Sequence, residues 1–409
     1  MGKGTDMDKC WCGNNNFEVY SECYNLCNKC HTLVVKPNIS YNPERINDDE
    51  DYYGKKYWES KMVNAAKVQN MDQIIDLYMH ERAVYWLTNL FLYVLPGHGY
   101  IAEVGCGLGQ FSYFLKESGY EQIAFELSPE ICGYIRHALN LNVVCGAFKP
   151  SEKKYNAICA FDVMEHLVDP HVFLETVASS LDPEGIIMIQ MPCYDKNLNY
   201  AEMLQKKPAF QQQLRESEHV FLFSKESVSD ILHEHGFNYI RFIDAFFGND
   251  YDMFFVASRK PLNENTKEKI DSALNRLQHG RLIKAVINSW KEAKKNEKSK
   301  KAVERQRDSL ICQIDKLTEM VTCLQKQLDV SEKDREERER QINELTGMVK
   351  NLQKQLNESE DDREARKRQI IELTEIVTNL QKQLSICEED RENRLQQILV
   401  LTDMINGNK

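Results

Sequence analysis

Gly105, Gly107 and Gly109 lie within five residues in the stretch EVGCGLGQF, directly after the apolar run YIAEVG. Glycines at this density let a backbone turn tightly and approach a ligand with no side chain in the way. Two phosphate-binding patterns use such loops, and neither fits. A dinucleotide loop needs a small residue at the sixth position of the motif, where this chain has Gln110, and a P-loop needs a GK[ST] ending that is missing here. Glu103, two residues before the first glycine, would repel a pyrophosphate. It would instead accept hydrogen bonds from an α-ammonium group.

Two further clusters carry groups that can move protons. AFDVMEHLVDP supplies Asp162, Glu165 and His166 just after a strand candidate, and ESEHVFLFS supplies Glu218 and His219 just before a helix candidate. An acid beside a histidine can take a proton from an acceptor hydroxyl or carbon, hold a divalent ion, or simply shape a pocket through hydrogen bonds. If His166 and His219 converge, they can share a metal or flank one acceptor group. At the start of the chain, KCWCG and CYNLCNKCH give Cys10, Cys12, Cys27 and Cys30, a CxC and a CxxC that can close a four-thiolate zinc site. Cys23 or His31 could replace one of the four.

A ligand with an amine, a sulfonium and no phosphate satisfies Glu103, and S-adenosylmethionine is such a ligand. Glu126, at the end of the next apolar run about twenty residues on, is placed to take both ribose hydroxyls of any adenosine ligand.

The elements that must hold these groups alternate. YIAEVG, QIAFE, NVVC, NAICAF, GIIMIQM, FNYIRFI and DMFFVAS read as strands; FSYFLKES, SPEICGYIRHAL, PHVFLETVASSL and SKESVSDILHEHG read as helices, the last capped by Ser224 and closed by Gly236. That alternation predicts an α/β fold with a doubly wound, Rossmann-like sheet of seven strands whose last strand is antiparallel. Residues 57–95 are helical in pattern, so the α/β domain is expected over 57–260, after a cysteine-rich module at 1–36.

Residues 261–302 read as a charged helical linker, and 303–406 as a coiled coil. The dipeptide QI recurs at 313, 341, 369 and 397, a repeat of 28 residues, or four heptads. With Ile314 at position a, both seam positions stay apolar except for Arg335, Arg338, Arg363, Arg366, Arg391 and Arg394 and the Ser or Cys beside them. An unbroken heptad seam predicts a rod roughly 140 Å long that oligomerises, with the arginine layers either fixing register or merely tolerated.

The net charge of −11 argues against general nucleic-acid binding. No apolar run reaches the ~20 residues of a membrane span. Thirteen scattered cysteines behind a polar start fit a cytoplasmic chain that reaches the inner face of a membrane only through partners.

EVGCGLGQF, FELSPE, AFDVMEHLVDP, GIIMIQMP and EHVFLFSKESVSDILHEHGF together resemble the class I S-adenosylmethionine-dependent methyltransferases, in the branch acting on sugars or quinone precursors. The resemblance implies a cofactor held by Glu103, Gly105, Cys106, Gly107, Gly109, Glu126 and Leu127, with Gly146 and Ala147 near the adenine and Asp162 and Val163 after the fourth strand. DVMEH is similar to the ExxEH motif of quinone-pathway and small-RNA methyltransferases, which holds a divalent ion, with Asp162 as a shorter first acid. ESEH is similar to half of the YxEH motif of deoxysugar C-methyltransferases, which implies catalytic roles for Glu218 and His219 beside Glu165 and His166. Members of the branch carry a zinc module at this end of the chain. A methyltransferase with a long coiled coil also resembles terminators of surface-polysaccharide chains, which implies a sugar or glycan acceptor and a glycan-assembly partner. The rival readings are a metal-assisted O-methyltransferase of a small molecule or RNA end, and a coiled-coil scaffold with a non-catalytic methyltransferase fold.

Overall fold

The computed structural model describes residues 9–37, 71–246, 251–358 and 363–406. The expected helical start at 57–70 lies outside them. The chain divides into two units, Met1–Ala293 and Lys294–Lys409.

In the first unit a seven-stranded sheet runs in the order β10-β11-β8-β7-β4-β5-β6. Its strands are β4 (Tyr100–Val104), β5 (Glu121–Glu126), β6 (Val143–Cys145), β7 (Tyr155–Phe161), β8 (Leu181–Pro192), β10 (Tyr239–Ile243) and β11 (Asp252–Ser258). Each of the seven strands read from sequence is present. β11 pairs antiparallel with both β8 and β10, and β4, β5, β6, β7 and β8 pair parallel. The central strands are mostly apolar because helices cover both faces. Those helices begin where short polar side chains cap them: Ser128 accepts from the Ile131 amide, Asp169 from His171 and Val172, and Ser224 from Ser227. The strand order reverses between β4 and β7, so the loops after these two strands diverge and leave a crevice at the carboxyl edge of the sheet.

The cysteine-rich segment is not a separate domain. Its strands β1 (Phe17–Val19), β2 (Tyr24–Cys27) and β3 (Leu33–Val35) form an antiparallel sheet whose fourth member is β9 (Phe221–Leu222), from the segment after His219. Sequence alone places these stretches some 190 residues apart, and no local pattern announces a two-residue strand.

The second unit corrects the expectation of one continuous rod. The helix Gly280–Glu358 ends, a second helix Arg363–Asn406 follows, and the two run antiparallel against each other. Arg391 Nε lies 3.4 Å from Glu332 Oε1, Arg338 donates to the Gln383 carbonyl at 3.4 Å, and Arg366 donates to the Gln355 carbonyl at 2.5 Å. Met320 and Leu324 share a groove with Gln397 and Leu401. Every described a and d position is half-buried, and the contacts between the two helices lie within one chain.

The arginine layers explain the direction. The register of those contacts sets Arg335 opposite Cys387, Arg338 opposite Leu384, Arg391 opposite Ser331 and Arg394 opposite Leu328. In a parallel, in-register pair each arginine would face its own copy. Two guanidinium groups about 6 Å apart repel by about 1–3 kcal/mol for an environment between water and protein surface. Repeated over successive layers, this disfavours the parallel rod and favours antiparallel pairing, as in the hairpin, where each long side chain reaches past a small or apolar residue. Replacing Arg335, Arg338, Arg391 and Arg394 together by Leu should therefore increase self-association in sedimentation velocity. Unchanged association in the quadruple variant would show that the arginines do not set the pairing.

Candidate active site

β4 delivers Glu103 and then the glycine loop. Gly105, Gly107 and Gly109 adopt φ of 69°, 50° and 81°, the left-handed region that costs glycine nothing. A Cβ on Gly105 would come within 2.7 Å of Val163 Cγ2, so bulk is excluded there as well as strain. Glu126 pins the loop from the end of β5: its carboxylate accepts from the Gly107 amide at 2.9 Å, the Leu127 amide at 2.8 Å and the Ser128 amide at 3.1 Å. This carboxylate thus orders the loop as well as facing the crevice.

These groups line a cavity of about 730 Å³, within the size range of small-molecule sites. Glu103, Gly105, Cys106, Gly107, Glu126, Leu127, Gly146, Ala147, Asp162 and Val163 all border it, as do Glu165, His166, Glu218 and His219. Gly109 does not line the wall. It is the residue that starts the helix Gln110–Glu117 behind the loop.

Glu103 is buried, and Ser112 Oγ donates to its Oε2 at 2.5 Å. Burial pushes its carboxyl up to about 8, with the Ser112 hydrogen bonds pulling the other way. The group is therefore mostly protonated at neutral pH until a cation docks beside it.

Asp162 differs from the sequence expectation. It sits in the left-handed region at φ 56°, accepts from Gln190 Nε2 at 3.3 Å and pairs with Arg82 at 3.4 Å. Its carboxylate serves this network and does not join the metal-binding geometry expected of Asp162, Glu165 and His166. The groups that do converge are Glu165, His166 and His219, whose ligand atoms lie within 4.8 Å of one another. The two imidazoles are 4.9 Å apart at their centroids.

Their tautomers follow from their partners. His166 Nδ1 faces the Glu218 carbonyl at 2.9 Å and His219 Nδ1 faces the Gln213 carbonyl at 2.7 Å. A carbonyl only accepts, so in each neutral ring Nδ1 carries the proton and Nε2 is the accepting nitrogen. Both rings are therefore set as bases or ligands through Nε2. Glu165 is buried, its Oε2 has no hydrogen-bond partner among the described residues, and burial holds its carboxyl well above the usual range, with the Asp162 charge adding to the shift. Glu218 is buried too and pairs with Arg215 at 3.5 Å.

Sequence reasoning missed Tyr78, Arg82, Arg215, Tyr251 and Asp252, which also line the cavity. Arg82 stacks on Tyr78, 4.5 Å from its ring centroid, and reaches Asp162 from a π-helical turn, Met79–Ala83. One-turn π segments often mark functional sites, but the helical period of YMHERAVYW reads as ordinary α-helix. Asp252, on the antiparallel β11, is pushed up to about 9 by burial and by the charge of Asp162.

The expected thiols also converge. Cys10 Sγ is 3.4 Å from Cys30 Sγ, Cys12 Sγ is 3.6 Å from Cys27 Sγ, and all four lie within 4.8 Å of one another. Cys23 and His31, the possible substitutes, are outside this group. Hydrogen bonds to Cys10 and Thr32 lower Cys30 to about 5 against the opposing effect of burial, favouring a thiolate.

Residues 76–241 match the profile of a family described as a methyltransferase domain. Among solved structures, a methyltransferase of Thermotoga maritima, described as S-adenosylmethionine-dependent and a possible histamine N-methyltransferase, is 16% identical over 46% of this chain and 92% of its own, with a TM-score of 0.35. Magnesium protoporphyrin IX methyltransferase of Synechocystis PCC 6803, solved with S-adenosylhomocysteine, is 15% identical over 50% of this chain and 98% of its own, with a TM-score of 0.36. No match is found among curated proteins. The matched segment, the strand order and the glycine loop define a class I S-adenosylmethionine-dependent methyltransferase domain.

An ammonium docked beside Glu103 stabilises its carboxylate, so binding of S-adenosylhomocysteine should release up to about one proton per site near pH 7. Affinity should accordingly strengthen as pH rises from about 6 toward 8. Calorimetry in buffers of different ionisation heat measures the release, and Glu103→Gln should abolish it. Equal release by the variant would refute this role.

Proposed function

We propose that the protein methylates a sugar or glycan, and the observation that carries this reading is the convergence of His166 and His219, in defined tautomers, in the same cavity as the glycine loop and Glu126. When bound, S-adenosylmethionine supplies a methyl group activated by its sulfonium. The residues fit it: a left-handed loop without side chains, a carboxylate at the end of β5 and a buried acid for the amine. The protein's part is to align the acceptor and remove its proton. His219 Nε2 or His166 Nε2 takes that proton from an acceptor hydroxyl or carbon. Glu218 is buried beside the two rings and stabilises the imidazolium formed, and Glu165, held protonated by burial, lies next to them. Arg82 and Arg215 at the same cavity suit an acceptor bearing phosphate, such as a nucleotide-linked sugar or a polymer end.

Labelled methyl transfer tests the acceptor: nucleotide sugars and cell-envelope glycan should be methylated, whereas RNA ends and small phenols should not. His219→Asn should slow transfer by about 10²–10⁴-fold while S-adenosylhomocysteine affinity stays within about twofold. Turnover of RNA or phenol with none of glycan would overturn the sugar reading. Cofactor binding with no transfer to any of them would favour the scaffold.

A second reading has its own observation. Glu165, His166 and His219 have the ligand set for a divalent ion, and the unpartnered Glu165 Oε2 is buried next to it. Methyl transfer that stops with a chelator and returns with Mn²⁺ would select this metal-assisted mechanism.

We further infer a structural Zn²⁺ at Cys10, Cys12, Cys27 and Cys30. Tetrahedral Zn–S bonds of about 2.3 Å put sulfurs about 3.8 Å apart, close to the spacing seen. Purified protein should carry about one zinc per chain, and Cys27→Ser should lose it by elemental analysis; zinc retained by the variant contradicts the assignment. Homo-oligomerisation and a glycan-assembly partner extend the same proposal. Because the a/d positions face each other within one chain, copies would meet through the exposed apolar residues Val330, Met348, Ile376 and Ile386.

A further inference from the structure

The cysteine module has a connection that a metal knot alone does not require. Tyr24, fully buried in β2, sends its hydroxyl to the backbone carbonyl of His219 at 2.9 Å. β3 then pairs with the strand that follows that histidine, Leu33 with Leu222 and Val34 with Phe221, and the Val35 amide donates to the Val220 carbonyl at 3.0 Å. From the opposite side the Val220 amide donates to the Glu165 carbonyl at 2.7 Å, and His166 Nδ1 donates to the Glu218 carbonyl at 2.9 Å. The loop carrying Glu218 and His219 is thus clamped between the module and the turn after β7. The His219 carbonyl and the Val220 amide are adjacent along the chain, so the two clamps act on the same peptide unit.

We propose that the cysteine module is a positioning element for the acceptor side of the site, with Tyr24 as the positioning residue that fixes the backbone of His219 and hence its Nδ1–H tautomer. The proposal rests on the reading of His219 as an acceptor-side group, but its geometry stands without a known acceptor. Buried carbonyls are rarely left unpaired, so removing the Tyr24 hydroxyl obliges the peptide after His219 to move or to admit water. Movement there loosens the hold of the Gln213 carbonyl on the ring and admits the other tautomer. The glycine loop and Glu126 are held by separate hydrogen bonds and should not respond.

Tyr20 provides the control. It lies in the same module, its hydroxyl is buried without a hydrogen-bond partner among the described residues, and it faces Tyr194 and Tyr200 instead of the loop. In the full chain labelled with ¹⁵N-histidine, the wild type and Tyr20→Phe should both show His219 protonated at Nδ1. Tyr24→Phe should shift His219 toward a mixture of tautomers and raise exchange of the Val220 amide about tenfold, with S-adenosylhomocysteine affinity by calorimetry unchanged within about twofold. A Tyr24→Phe protein whose His219 signals and Val220 exchange match wild type overturns the proposal, as does a Tyr20→Phe protein that changes as much. If Tyr24→Phe does not fold, native-state exchange of the wild type decides: the Val35, Val220 and Cys27 amides should open together, and independent opening of Val220 overturns the proposal. Failure to find a methylated glycan would sink the proposed function and leave these readouts intact.

Discussion

The hydrogen bond from the Gly107 amide to the Glu126 carboxylate ties together the two strands on which the site depends. A carboxylate that accepts three amides at the end of β5 fixes a loop leaving β4 that glycine would otherwise let wander. With that loop held, the helix Gln110–Glu117 starts at Gly109, Ser112 reaches back to Glu103, and Val163 fills the space that a side chain on Gly105 would need. The cavity follows from these constraints together with the reversal of strand order beside β4.

The side of the cavity that carries His166 and His219 is built on a different principle. Its groups come from segments far apart in sequence: the turn after β7, the loop before β9, the π-helical turn with Arg82, and β11 with Asp252. Backbone carbonyls set the tautomers of His166 and His219, and burial keeps Glu165 and Asp252 protonated beyond the usual carboxyl range. Two accepting nitrogens and a buried acid within a few ångströms form an arrangement suited to proton removal.

The sheet and the glycine loop were legible because their signals are local: strand and helix periods, caps such as Ser224, and the short span from Glu103 to Gly109. The convergence of His166 with His219, and of Cys10 with Cys30, could only be posed as a question, since tertiary pairing decides it. Arg82 was missed because a π turn leaves no mark in an α-helical period. Asp162 was misplaced because spacing does not reveal that Arg82 and Gln190 hold it. In the tail, the heptad period marks positions that are half-buried here but does not reveal that a second helix folds back along the first. The arginine positions bear on direction alone, and only when each layer is set against its alternatives.

The central claim is that one cavity brings the methyl donor's seat and the two histidines together. A crystal structure of the protein with sinefungin, a donor analogue with an amine in place of the transferable methyl, tests it most directly. The account predicts the analogue over Gly105 and Gly107, its ribose on Glu126, its amino-acid ammonium beside Glu103, and its transferable amine facing His166 and His219. An analogue bound elsewhere, or bound with that amine turned away from both histidines, would contradict it.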